Sequence, residues 1–298
     1  MIHPVYYSPE IIAMKRIAAA FFILLTWLSP AQAASSALTT YLQQQESQLN
    51  ARIGMAIVDA QGTPVFGWRE NERFPLTSTF KVLTCAALLD QLHKKHGSLE
   101  ERVSLQPTEL LDYSPIAKDY LPPETISLRK LCSAAVSYSD NTAANRLLTW
   151  LGGPAAVTQF MRSLDDNVTR LDRTEPTLNT ATPGDMRDTT TPHHIVRSLR
   201  LLLASDVLTQ TDRATLDNWM REDKVADALL RLTLPEGWAI ADKTGAGGYG
   251  SRAIIAAIYP PQKPPFYVAI YITQTTASMK TADAVIAEIG RRLFSASQ

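Results

Sequence analysis

Ser78-Thr79-Phe80-Lys81 combines residue types and a spacing that could do chemistry. The four residues follow Arg73-Phe74-Pro75-Leu76-Thr77 and open the apolar run from Val82 to Leu92. That run reads as a buried helix, and Pro75, Thr77 and Ser78 read as its start. A serine and a lysine three apart share a helix face, so the ammonium can reach the hydroxyl. A serine at a helix N-terminus also sits among free backbone N–H groups at the positive end of the dipole. That environment suits a nucleophile whose reaction generates an oxyanion. Taken alone, Ser-x-x-Lys is also what a capping serine followed by a solvated lysine would give.

Three more short patterns follow in order. Ser139-Asp140-Asn141 lies between two helical stretches, Glu175-Pro176-Thr177-Leu178-Asn179 sits in a long irregular segment from Arg170 to Thr191, and Lys243-Thr244-Gly245 ends a strand pattern. Each has a plain reading by itself: a helix cap, a solvated loop, a strand end. An irregular segment of that length is unusual unless it is functional.

The elements that must position these groups fall into three parts. The chain first reads helix, strand, strand: 36–50, 52–59 and 65–68, with a turn at Gln61-Gly62-Thr63-Pro64. From Ser78 to about Arg231 the pattern is mostly helical, with helices expected over 79–93, 127–135, 142–150, 154–163, 192–203, 212–220 and 224–231. Thr191-Pro192 is a capping threonine followed by proline at the first helical position. Strands return at 238–243, 252–259 and 266–272, before a closing helix over 281–294. Two early strands and three late ones can join one sheet. The expected fold is therefore α/β (α+β): an antiparallel five-stranded sheet flanked by terminal helices, with an inserted all-helical lobe. The lobes are expected at about 34–70 plus 232–298 and about 71–231, with the site in the cleft between them.

The first 33 residues read as an N-terminal extension and an export signal. Met14-Lys15-Arg16 is basic, Ile17 to Leu28 is apolar, and Ala31-Gln32-Ala33 fits a small-x-small cleavage site. The apolar run is 12 residues, short of the ~20 needed to span a bilayer. Cleavage is expected after Ala33, with Met14 as the true start. The mature protein is then periplasmic or secreted, with no membrane attachment.

The chain has 298 residues, of which 45% are hydrophobic, enough for a substantial core. Its formal net charge is zero, so nothing favours nucleic acid or an acidic membrane surface as a partner. The two cysteines, Cys85 and Cys132, can pair in an exported protein; closing so long a loop stabilises by on the order of 4 kcal/mol in the chain-entropy model. The five histidines include no His-x-His-x-Asp. They read as solvated, and neither metal nor cofactor is expected.

Together the four patterns resemble class A serine β-lactamases. Ser139 follows Ser78 by 61 residues, Glu175 follows Ser139 by 36, and Lys243 follows Glu175 by 68. The resemblance extends to Arg73-Phe74-Pro75, to 140–145, to Arg170-Leu171-Asp172-Arg173 and to 188–192, and so spans almost the whole mature chain. Cys85 and Cys132 stand where many members carry their single disulfide.

The resemblance implies hydrolysis of a small-molecule β-lactam by a monomer. Ser78 would attack the strained amide and form an acyl-enzyme, with the N–H groups of Ser78 and Ala246 as oxyanion hole. Either Lys81 or Glu175, through a water, would take the serine proton, a point disputed in the family. Glu175 would drive deacylation, held with its water by Asn179 and Asn145. Ser139 would pass a proton to the leaving nitrogen, and Asn141 would hold the substrate's side-chain amide. Lys243, Thr244, Gly245 and Arg252 would form the subsite for the substrate carboxylate, with Tyr113 as an aromatic wall. Arg173 and Asp188 would pin the Glu175 loop.

Some positions depart from particular subgroups. Thr77 and Gly247 stand where some carbapenem-hydrolysing members carry an extra cysteine pair, and Thr174 stands where the best-known members have an aromatic residue. Lys243 stands where a carbenicillin-preferring subgroup has arginine. A penicillinase with some cephalosporin activity is the expectation. The nearest rivals are a penicillin-binding DD-peptidase and a β-lactam sensor. The peptidase would lack the deacylating Glu175, and the sensor would need a membrane helix after the signal.

Overall fold

Strand β8 (Ser251–Tyr259) shows how alternation builds the centre of the molecule. Ile254, Ala256 and Ile258 point into one apolar cluster, while Ala253, Ile255 and Ala257 point into another. Both faces of the strand are thus covered, and its sequence is almost continuously apolar rather than alternating with polar residues. The same holds for β9 (Phe266–Thr273) and most of β1 (Arg52–Val58). Strand β2 (Pro64–Trp68), more exposed, forms one edge, and β7 (Ala239–Gly247) forms the other. The sheet order is β2-β1-β9-β8-β7, antiparallel at every pairing.

A computed structural model describes residues 30–297. The expected signal segment lies almost entirely outside the described residues. Helix α1 (Pro30–Leu49) begins before the expected cut after Ala33. Leu38 and Leu42 of α1 join Val285, Ile286, Ile289 and Phe294 of the closing helix α8 (Met279–Ser297) against one sheet face. No helix among the described residues is long and apolar enough to cross a membrane.

The other face carries small residues, Ala241, Ala253, Ala257 and Ala269, against which the helical block packs. Its axis is α2 (Phe80–Lys95), buried at nearly every position from Phe80 to Leu92. Around it lie α3 (Leu128–Ser137), α4 (Asn141–Leu151), α5 (Pro154–Ser163), α6 (Pro192–Ala204) and α7 (Gln210–Arg221). The Thr191 side chain accepts from His194 N, as the Thr-Pro start signal requires. Cys85 of α2 and Cys132 of α3 form the disulfide, with Cα atoms 5.7 Å apart.

Three expectations need correction. The segment 224–231 is not a helix: Asp223 Oδ1 accepts from Val225 N, Lys224 N donates to Ser137 O, and only a 3-10 turn, Leu230–Thr233, follows. The helical block also contains two short ladders, β3 (Phe74–Pro75) with β6 (Thr189–Thr190) and β4 (Arg102–Val103) with β5 (Ile126–Ser127). Finally, β7 does not end at Lys243-Thr244-Gly245. These residues pair with Ile255, Ile254 and Ala253, and the ladder runs on to Gly247 opposite Ser251.

Candidate active site

Ser78 sits in a 3-10 turn, Thr77–Thr79, that runs directly into α2. Thr79 Oγ1 donates to Leu76 O, and Thr77 takes a left-handed φ of 46°. Positive φ at a residue other than glycine costs on the order of 1–3 kcal/mol and clusters at functional sites. Ser139 has the same property, with φ 59°. Thr77, just before the nucleophile, and Ser139 itself thus hold backbone conformations that their surroundings must enforce.

One turn along α2, Lys81 is wholly buried. Its ammonium donates to Asn141 Oδ1 at 2.6 Å, to Ser139 O at 2.8 Å and to Ser139 Oγ at 3.4 Å. Glu175 Oε1 stands 3.2 Å away, an ion pair outside hydrogen-bond geometry. Burial pushes the Lys81 ammonium down to about 8, against the opposing pull of the Glu175 carboxylate. Lys81 therefore has an appreciable neutral fraction near neutral pH.

Helix α4 supplies the frame. Asp140 is its N-cap, accepting from Ala143 N through Oδ1 and from Ile116 and Ala117 N through Oδ2. The plain reading of Ser-Asp-Asn as a cap thus holds for its Asp, while its neighbours face Lys81. Asn141 and Asn145 are four apart and share a helix face. Asn145 Oδ1 accepts from Glu175 N at 2.8 Å, and its Nδ2 donates to Glu175 O at 2.9 Å. One helix face therefore holds both Lys81 and the backbone of Glu175.

Glu175 Oε2 accepts from Asn179 Nδ2 at 2.5 Å. The loop around it is closed at its base. Asp188 Oδ2 accepts from Arg173 Nε at 2.5 Å, and Oδ1 accepts from the backbone N–H groups of Asp172 and Arg173. Leu76 N donates to Asp188 O, which ties the loop to the residue before the Ser78 turn. At its tip the loop meets the turn just after β7, where Gly248 N donates to Asn179 O at 2.8 Å.

The remaining expected residues lie on β7, β8 and the rim. Gly245 presses against the Ser78 turn: a methyl group there would overlap Thr77 Oγ1 and come within 3.1 Å of Ser78 N. Only glycine lets the strand approach so closely. Ala246 pairs with Arg252 across β7 and β8. Thr244 is buried, and Lys243 is wholly buried, 3.8 Å from Asp223 Oδ2. Arg252 Nε donates to Asp283 Oδ1 at 2.6 Å, and its Nη1 donates to Gly245 O at 3.2 Å. Tyr113 is half exposed, and its carbonyl accepts from Asn141 N.

Comparison with known proteins decides the family. Residues 35–296 match the model of the beta-lactamase enzyme family. The chain belongs to that family, in its class A. Beta-lactamase AER-1 of Aeromonas hydrophila is 52% identical over 249 residues, covering 84% of this chain and 82% of that one. Two solved beta-lactamase structures superpose closely. The last common ancestor of Gram-negative bacteria (GNCA4) beta-lactamase class A has a TM-score of 0.85 at 46% identity, covering 88% of this chain and 100% of its own. The chromosome-encoded beta-lactamase of Vibrio parahaemolyticus has a TM-score of 0.84 at 41% identity, covering 88% and 99%. This beta-lactamase is thus a hydrolase acting on β-lactams, and its disulfide fits an exported protein.

Sequence reasoning missed three residues beside this beta-lactamase's site. Asp223 faces Lys243, Asp283 holds Arg252, and Arg231 holds Asp242, the neighbour of Lys243. Their partners lie 11 to 31 residues away in sequence. No local pattern marks them. A buried lysine or arginine needs a carboxylate nearby, and that requirement is the one signal that could have prompted the search.

Proposed function

We propose that the protein hydrolyses penicillins and some cephalosporins through a Ser78 acyl-enzyme, and so confers β-lactam resistance. The observation that carries this reading is the junction at Lys81. Its ammonium meets Ser139, Asn141 and Glu175 one helical turn from Ser78. Ser78 Oγ bonds to the carbonyl carbon of the ring amide, and its proton passes to neutral Lys81 or, through a water, to Glu175. The oxyanion develops between the N–H groups of Ser78 and Ala246. Ser139, linked to Lys81, returns a proton to the ring nitrogen as the C–N bond breaks. Glu175 then takes a proton from the water that attacks the ester, and as the C–O bond to Ser78 breaks a proton returns to Ser78 Oγ, with Asn179 holding one carboxylate oxygen of Glu175 and Asn145 holding its backbone.

Lys243 and Thr244 of β7 and Arg252 of β8 bind the substrate carboxylate. With Asn141 Oδ1 engaged by Lys81, the amide nitrogen is the part of that side chain left for the substrate's side-chain carbonyl. Tyr113 walls the entrance. Arg173 and Asp188 keep the Glu175 loop in register. The protein acts as a monomer of two lobes, about 34–70 plus 232–298 and about 71–231. It works in the periplasm or outside the cell after cleavage behind Ala33.

Hydrolysis of a chromogenic cephalosporin and of benzylpenicillin by the purified mature protein, with and without EDTA, tests the reading. Continuous turnover insensitive to EDTA is expected. A single stoichiometric acylation without turnover would instead indicate a penicillin-binding peptidase or sensor.

A further inference from the structure

Lys243 is a fully buried ammonium whose Nζ makes no hydrogen bond to the protein among the described residues. Burying such a donor unpaired is costly. Its nearest carboxylate oxygen, Asp223 Oδ2, is equally buried and equally unpaired, and stands 3.8 Å away. This distance is too long for a hydrogen bond but short enough for a strong charge interaction in a dry site. The mismatch is built in. Asp223 follows α7 in a tight turn, with its Oδ1 accepting from Val225 N at 2.7 Å. The next residue is tied to the end of α3 through Lys224 N and Ser137 O. The carboxylate is thus held back from Lys243.

The other charges around Lys243 are already engaged. Asp242, its neighbour on β7, accepts from Arg231 at 2.7 and 3.1 Å. Glu175 faces Lys81 and Asn179. Arg252 on β8, paired with Asp283, repels Lys243, and so does Lys81 on α2. Among these carboxylates, Asp223 is the one within ion-pair distance of Lys243.

We infer that Asp223 is a positioning residue for the reaction: its carboxylate keeps Lys243 charged across the gap without taking any of its N–H bonds. Those bonds stay available to a substrate carboxylate. This rests on the reading that Lys243 binds that carboxylate. Burial pushes Lys243 below the ordinary lysine range, and Asp223 is the largest opposing influence. Replacing Asp223 by a neutral group of the same shape therefore lets Lys243 lose its proton at a lower pH. Substrate capture then fails on the alkaline side.

The test is kcat and KM for benzylpenicillin from pH 6 to about 10, for the unaltered enzyme and for Asp223→Asn, Asp223→Glu and Lys243→Ala. In Asp223→Asn the alkaline fall in kcat/KM should move down by about one pH unit or more. It should appear as a KM roughly tenfold higher near pH 9, with kcat little changed and KM at pH 6 within about twofold. Asp223→Glu, which keeps the charge, should restore the original limb. If Asp223→Asn does not fold, the smaller neutral Asp223→Ser takes its place. An alkaline limb that stays where it was, or a loss spread evenly over all pH values, would overturn the role of Asp223. Lys243→Ala should raise KM across the whole range. If it leaves KM unchanged, Lys243 does not hold the carboxylate, and the reading beneath the inference falls as well.

Discussion

Lys81 Nζ and Glu175 Oε1 lie 3.2 Å apart, and neither side chain has any exposed surface. The carboxylate therefore bears directly on the charge state of the ammonium. The Glu175 carboxylate raises the affinity of Lys81 for its proton, while burial lowers it to the point where the lysine loses it at about pH 8.

This coupling separates the two candidate acylation bases. Replacing Glu175 by Gln removes the influence that holds the proton on Lys81, so its pKa falls below about 8. If Lys81 is the base, single-turnover acylation of Glu175→Gln by benzylpenicillin rises with pH and levels off below pH 8. Stopped-flow measurements from pH 5 to about 9 would show this limb. A flat profile with acylation slowed by about a thousandfold or more would assign the step to Glu175.

Gly245 sets the distance between β7 and the nucleophile. Gly245→Ala places a methyl group on Thr77 Oγ1 and near Ser78 N. Overpacking of this kind costs ~1–3 kcal/mol and shifts the backbone. The expected result is at least a tenfold loss in kcat/KM, partly recovered when Thr77→Ala is added. Steady-state kinetics on the single and double variants check it, and an unaltered kcat/KM for Gly245→Ala would contradict it.

These two relationships show where reading the sequence stops. Continuous apolar runs identified β1, β8 and β9, because both sheet faces are covered. The Ser78 start, the Asp140 cap and the Thr191-Pro192 start were legible because caps and helix starts are local. The turn at 224–231 read as a helix because its apolar residues have helical spacing. Its backbone is instead held by Ser137 and by the Asp223 side chain. Asp223, Asp283 and Arg231 stayed hidden because an ion pair between distant segments leaves no periodicity in either one. Lys243-Thr244-Gly245 was recognised as a pattern, yet only the fold shows that its glycine makes room for Thr77.

Asp188 anchors the Glu175 loop through three donors: Arg173 Nε and the N–H groups of Asp172 and Arg173. Its side chain is wholly buried. Asp188→Ala leaves all three without that acceptor, a loss of about 3 kcal/mol when one partner of a buried pair is removed. Urea unfolding should show that drop, and deacylation should slow more than acylation because Glu175 rides on the loop. A stability change under about 0.5 kcal/mol would mean that the loop is held by other contacts.

The division of labour between Ser78 and Glu175 is tested most directly by intact-mass spectrometry of Glu175→Ala mixed with benzylpenicillin. The expected result is a lasting gain of one penicilloyl group, located on the peptide containing Ser78, while the unaltered enzyme returns to its free mass. Turnover by Glu175→Ala at the unaltered rate, or an adduct on any residue other than Ser78, would contradict the assignment.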